Sequence, residues 1–253
     1  MNDRDAWDAL TLELDQWGAE GRTAAFWWRD DDAVAPTPAL DRLRSLSAGI
    51  PIALAVIPAG ATLELAAELR DWSESTVLQH GLSHANHEAA PVKKAELGSA
   101  RPVPQVIADL KTGWDLLAAF QPLPVLVPPW NRISPGLIGR LSSLGYIGLS
   151  TFTPRAGANP APGLLQVNTH VDIIDWHGGG GFAGTEATIA AAIRHLAARR
   201  TGTADPLEPT GLLTHHLVHD ADCDRFLTRY TAAISRHPAA CWRDARDIFG
   251  SQS

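Results

Sequence analysis

The sequence predicts one α/β domain, a distorted (β/α) barrel of about seven parallel strands over residues 1–253 with its core at about 23–237. Three observations lead there. Short apolar runs rich in β-formers alternate with longer segments of helical period, the pattern of parallel strands joined by crossovers. A chain of 253 residues, 45% hydrophobic, suits one large core better than two. Unusual polar groups gather at the C-terminal ends of the apolar runs, which share one face of a parallel barrel.

The strand candidates are 23–28, 50–57, 75–80, 123–128, 146–151, 164–174 and 211–216. Helix candidates lie between them. Residues 38–46 follow Thr37 as a cap, and 62–72 carry Leu63, Leu65 and Leu69. In 103–120 the residues Val106, Leu110, Trp114 and Leu117 form one stripe. Residues 134–145 open with Ser-Pro and close at Gly145, and 185–200 and 224–237 complete the set. An open doubly wound sheet competes, but its glycine-rich phosphate loop should follow the first strand. Here that strand runs into "RDDDA".

A net charge of −7 argues against a nucleic-acid or anionic-membrane partner, and no stretch is long and apolar enough for a membrane span. The acidic, amphipathic start lacks a signal-peptide pattern, and Cys223 and Cys241 form no metal or redox motif; a cytoplasmic location with reduced thiols is expected.

"QHGLSHANHE" places His80, His84 and His87 within eight positions after an apolar run. Imidazoles four apart converge on a metal if the chain turns helically there, and Gly81 eases the exit; a solvated histidine-rich loop is the alternative. Asp30, Asp31 and Asp32 follow Trp27 and Trp28, at a partly buried mouth. Carboxylates there need a metal, an arginine or a proton. One on a metal and a neighbour poised as base would meet that need. "HGGGG" (177–181) lacks the lysine and threonine of a phosphate loop. "LLTHHLVHD" offers His215, His216 and His219, with His216 facing away from His215 by strand alternation.

In their order, "RDDDA" (29–33), "HGLSH" (80–84), "VPPWN" (127–131), "DIIDW" (172–176) and "LTH" (213–215) resemble the motifs of the polysaccharide deacetylase (NodB-homology) superfamily: T-F-D-D-G, H-[ST]-x-x-H, R-x-P-[YFW], a D-x-x-D-W-like segment and L-x-H. The resemblance runs from about residue 26 to 220. It implies a metal-dependent hydrolase that de-N-acetylates a sugar or related amide, acting on a saccharide or small molecule. The implied cofactor is a divalent ion, zinc first and cobalt or nickel as alternatives. By the same resemblance Asp31 is the general base, with Asp32, His80 and His84 as metal ligands; Asp30 as base with Asp31 as ligand is the alternative register. His215 is the general acid, with His219 as runner-up, and Asp175 orients it. Trp130, through its amide and indole, with Pro129 and Trp176, lines the substrate site.

The sequence departs from the pattern at Val127, where the family has the arginine that steadies the base. Arg132 or Arg29 could replace it, and Asp172 could pair with Arg132. Two other functions stay open: a barrel that binds metal and sugar without catalysis, and an allantoinase-like hydrolase of a small cyclic amide.

Overall fold

Strand β1 (Ala24–Ala33) is the longest of the sheet and its centre, with β2 (Ile52–Val56) and β8 (Thr210–Thr214) parallel on its two sides. The other strands are β3 (Ser75–His80), β4 (Val125–Val127), β5 (Gly148–Leu149), β6 (Leu165–Gln166), β7 (Val171–Asp172) and β9 (Ala240–Trp242). Helices are α1 (Asp3–Ala19), α2 (Pro38–Leu46), α3 (Leu63–Arg70), α4 (Val103–Leu116), α5 (Pro135–Ile138), α6 (Thr185–Thr201), α7 (Ala221–Arg236) and α8 (Ala245–Gly250). These come from a computed structural model, which describes residues 3–250.

The hydrogen-bonded order is β6-β5-β4-β3-β2-β1-β8-β7, with β9 beside the start of β1 and every ladder parallel. β6 and β7 are two halves of the one predicted strand at 164–174. Its first half pairs with β5, continuing as Thr169 N–H donates to Thr151 O at 3.0 Å; then His170 N–H donates to Gly211 O at 2.8 Å and the chain joins β8. This change of partner returns the sheet on itself, and the distorted barrel is the architecture found.

Trp27, Ala53, Ala55, Leu78, Val125 and Val127 fill the barrel interior. The opposite faces of β1 and β2 bury Phe26, Trp28, Leu54 and Val56 among helical side chains. β1 outruns its predicted end at Trp28 because its polar residues are paired inside the protein, as described below. Pro124 and Pro128 lack the N–H a ladder needs and bracket β4, so it is shorter than predicted.

Thr37 and Thr62 cap α2 and α3 through Leu40 N–H at 3.1 Å and Leu65 N–H at 3.3 Å. Asp220 caps α7 through Asp222 and Cys223 N–H, so that helix starts three residues before its predicted position. The helix predicted at 134–145 breaks into α5 and a 3-10 turn at 142–144, with Gly136 and Gly139 weakening it. Trp114 is half-exposed and meets Tyr146 edge-on, off the buried stripe of Val106, Leu110 and Leu117.

The core reaches past residues 23–237 at both ends. Trp7, Leu10, Leu14 and Trp17 of α1 are buried against the helical layer, and Phe249 of α8 packs edge-on against Trp27 in the barrel. Amphipathic period alone marks such a helix as apolar on one side without saying what it covers. Cys223 and Cys241 are free thiols.

Candidate metal and catalytic site

Alternation along β1 sends Trp27, Arg29 and Asp31 inward and Trp28 and Asp30 outward. Asp30, without exposure, meets Thr214 Oγ1 at 2.6 Å, the His216 backbone N–H at 3.0 Å and His216 Nδ1 at 2.5 Å. His216 holds the Asp30 carboxyl below its ordinary value against the opposing effect of burial. Asp30 is thus behind the strand and not the base the alternative register offered; His216 faces away from His215 as expected.

Strict alternation would send Asp32 outward too. The ladder to β2 instead shifts register between Asp31 and Ala33, and Asp32 takes φ +76° at this bulge. Asp31 and Asp32 therefore face the same cavity. The bulge gives the acidic run one outward and two inward carboxylates.

Arg29 is the cation paired with Asp31. Wholly buried, it donates Nε–H to Asp31 Oδ1 at 2.8 Å and Nη2–H to Asp31 Oδ2 at 3.0 Å. Nη1 reaches Ser150 Oγ at 2.6 Å, and Nη2 reaches Asn131 Oδ1 at 2.6 Å. Arg132 neither steadies the base nor pairs with Asp172; its Nη1 donates to Lys94 O at 2.7 Å.

His80 ends β3 and His84 follows in an irregular loop, not a helical turn. Gly81 takes φ +56°, and a Cβ there would lie 2.2 Å from Glu96 Oε2 and 2.7 Å from Pro129. Glu96, buried, accepts the N–H groups of Leu82, Ser83 and His84, the closest at 2.9 Å. This carboxylate fixes the loop carrying His84, and no motif spacing marks it in the sequence. Exposed His87 lies outside the cavity.

His80 Nδ1 lies 2.9 Å from Val127 O, a carbonyl that can only accept, so Nδ1 carries a proton. His80 Nε2 lies 3.2 Å from Asp32 Oδ1, and His84 Nε2 is 3.4 Å from the same oxygen. Asp32 Oδ1 is buried and has no hydrogen-bond donor. Atoms converging this way are held either by a proton on His80 Nε2 or by a metal cation between them. Burial lowers the His80 pKa, but the Asp32 and Asp31 carboxylates outweigh it and raise it overall; burial and the neighbouring His80 lower that of His84. One carboxylate and two imidazoles fit a divalent ion with positions left open.

The same cavity, about 770 Å³, takes in Trp130, Trp176, Asp172 and His215. Trp130 sits 4.2 Å from the His84 ring, centroid to centroid, on a backbone at φ +54°. Pro129 does not line the cavity: it is buried beneath Gly81. Asp175 is exposed and accepts the N–H groups of His177 and Gly178, closing its own loop rather than orienting His215. Asp172, like Asp32, is a carboxylate within electrostatic reach of His215. Burial raises its pKa and His215 opposes the rise. Trp176 links the two, donating Nε1–H to Asp172 Oδ2 at 2.9 Å and standing edge-on to His215 at 4.8 Å. The His219 side chain is buried outside the cavity, 3.9 Å from Asp224, so it is not placed as the acid.

A second constellation, His170, His195 and Glu208, is wholly buried. His170 Nδ1 accepts Gly211 N–H at 3.0 Å, so the neutral ring holds its proton on Nε2, 3.4 Å from Glu208 Oε2. A protonated Nε2 cannot ligate a metal, and the two rings stack at 3.4 Å. This cluster is structural.

No family model matches the chain, and no curated protein matches its sequence. Solved structures do match in fold. A candidate polysaccharide deacetylase from Mycobacterium smegmatis has TM-score 0.61 and 14% identity, over 91% of this chain and 90% of that one. A family 4 carbohydrate esterase from Streptomyces lividans, solved with acetate, has TM-score 0.54 and 16% identity over 84% and 88%. The chitin deacetylase of Colletotrichum lindemuthianum has TM-score 0.54 and 13% identity over 90% and 88%. At these identities the likeness is one of fold, and it extends over nearly the whole of both chains.

Proposed function

We propose that the protein is a metal-dependent hydrolase that removes the acetyl group from an N-acetylated sugar or a related amide. The observation that carries this is the convergence of Asp32, His80 and His84 beside an arginine-held Asp31, with His215 in the same cavity. The neighbours' names, which include deacetylases and an acetate complex, agree with it.

A divalent ion held by Asp32, His80 and His84, zinc by preference, supplies a Lewis acid and an acidified water. The chain's own residues do the rest. Asp31, its orientation fixed by both Arg29 contacts, accepts the water's proton. His215 protonates the departing nitrogen, beside Asp172 and under Trp176. The Trp130 amide serves the developing oxyanion, and the Trp130 and Trp176 rings wall the sugar. The substrate is a small cytoplasmic saccharide or its precursor.

The test pairs metal content with acetate release. Zinc-reconstituted protein should hold close to one ion per chain, lost in Asp32→Asn and His84→Ala. Asp31→Asn and His215→Ala should keep the ion and lose acetate release from a panel of N-acetyl sugars. A cyclic amide in the panel separates the allantoinase-like reaction. Failure to bind zinc, cobalt or nickel would sink the hydrolase reading; tight sugar binding without acetate release would make the barrel a binding protein.

A further inference from the structure

Two cations of the cavity are left over once its carboxylates are accounted for. Asp31 is paired with Arg29, Asp32 faces the imidazoles, and Asp172 is tied to Trp176 and faces His215. Lys94 and Arg132 also line the cavity, and neither meets a carboxylate among the described residues. What sets Lys94 and Arg132 apart is their place on the wall of the cavity that holds the candidate metal ligands.

They are also held together by the backbone. The segments carrying them run side by side: Leu97 and Ile133 form a parallel bridge, and Ser134 N–H donates to Leu97 O at 2.8 Å. Arg132 Nη1 donates to Lys94 O at 2.7 Å, fixing the guanidinium against the segment that presents the ammonium. The remaining guanidinium N–H groups and the lysine head are free to bind. Two residues further on, Glu96 braces the His84 loop, so the cationic wall and the metal-ligand loop share one support. A half-buried guanidinium and an ammonium lining one cavity suit an oxyanion. A neutral glycan would leave both charges without a partner.

We infer that the substrate carries an oxyanion, phosphate or carboxylate, on the sugar that bears the scissile amide, and that Lys94 and Arg132 hold it. This rests on the deacetylase reading for the reaction, but the binding it asserts is measurable without turnover.

The experiment is calorimetric titration of the zinc-loaded full chain with N-acetylglucosamine 1-phosphate, N-acetylmuramic acid and methyl N-acetylglucosaminide. It is repeated with zinc-free protein, with Lys94→Gln/Arg132→Gln and with Lys94→Gln alone, whose exposed side chain leaves the fold intact. At least one anionic sugar should bind tenfold or more tighter than the neutral glycoside, with the preference shrinking at high salt. The preference should weaken in Lys94→Gln and fall to near one in the double variant. Which anionic probe shows it distinguishes phosphate from carboxylate. Equal binding of all three probes, no measurable binding of either anion, or a preference that survives in the double variant and vanishes without zinc would overturn the inference. An anion preference lost in the double variant, with no acetate released from any probe, would support the anion site and count against the deacetylase reading alone.

Discussion

Arg29→Met is the sharpest perturbation of Asp31, the proposed base. Arg29 and Asp31 are buried to 0% and 2% exposure, and the variant removes both of their contacts, at 2.8 and 3.0 Å. Breaking a buried pair from one side leaves a desolvated charge, at about 3–5 kcal/mol. Asn131 Oδ1 and Ser150 Oγ lose their donor as well, adding about 1 kcal/mol. Against a typical total of about 5–15 kcal/mol, that is a large share. The double variant Arg29→Met/Asp31→Asn leaves no buried charge unpaired and should recover about half or more of the loss. Arg132→Ala, which touches only the Lys94 carbonyl, should cost less than about 0.5 kcal/mol. Urea denaturation of zinc-free protein, followed by circular dichroism at constant m, reads all three. If Arg29→Met lies within about 1 kcal/mol of wild type, or the double variant is as unstable as the single, Arg29 is not what neutralises the base.

Other consequences follow from the supports of the site. Glu96→Gln removes the charge that holds three N–H groups of the ligand loop, and should weaken zinc about 10–100-fold in chelator competition; unchanged affinity would show that the loop holds itself. Gly81→Ala places a methyl 2.2 Å from Glu96 Oε2 at positive φ, and should cost more than about 1 kcal/mol and displace His84; zinc binding and Tm as in wild type would refute the crowding. Burial pushes the His195 pKa down to about 2, with the neighbouring His170 adding to the drop. The folded state therefore keeps His195 neutral while the unfolded chain takes up a proton below about pH 6.5, so its contribution is complete above that pH and lost as pH falls. The loss between pH 7 and 5 is about 2 kcal/mol, and His195→Gln should flatten stability against pH by that amount; equal slopes would place the acid sensitivity elsewhere.

Much of the candidate site is legible in the sequence because its residues sit where strands end. His80 ends β3, Asp32 lies at the last turn of β1 and His215 follows β8, so reading strand ends finds all three. What alternation alone could not decide was the register of Asp30, Asp31 and Asp32, because the bulge that turns Asp32 inward leaves no mark in residue type. The same limit hid Glu96, twelve positions after His84 in a segment without period, which acts through backbone N–H groups rather than a motif.

The placement of Asp175 and Asp172 shows a different limit. Both acids stand in "DIIDW", and matching the pattern favours the one beside the tryptophan. Asp172 belongs to β7, paired with Leu213 of β8 two residues before His215, and a parallel register carries its carboxylate to the histidine. Asp175 lies past the strand, where the run of glycines that follows gives it backbone N–H groups to accept. Register between strands, which requires knowing that β7 and β8 are neighbours, is what brings Asp172 rather than Asp175 toward His215. Arg29 poses the same difficulty: β1 and β4 both contribute to the barrel interior, and the arginine that pairs with Asp31 comes from β1. A side chain that either of two strands could bring to one cavity is invisible to motif matching along the chain.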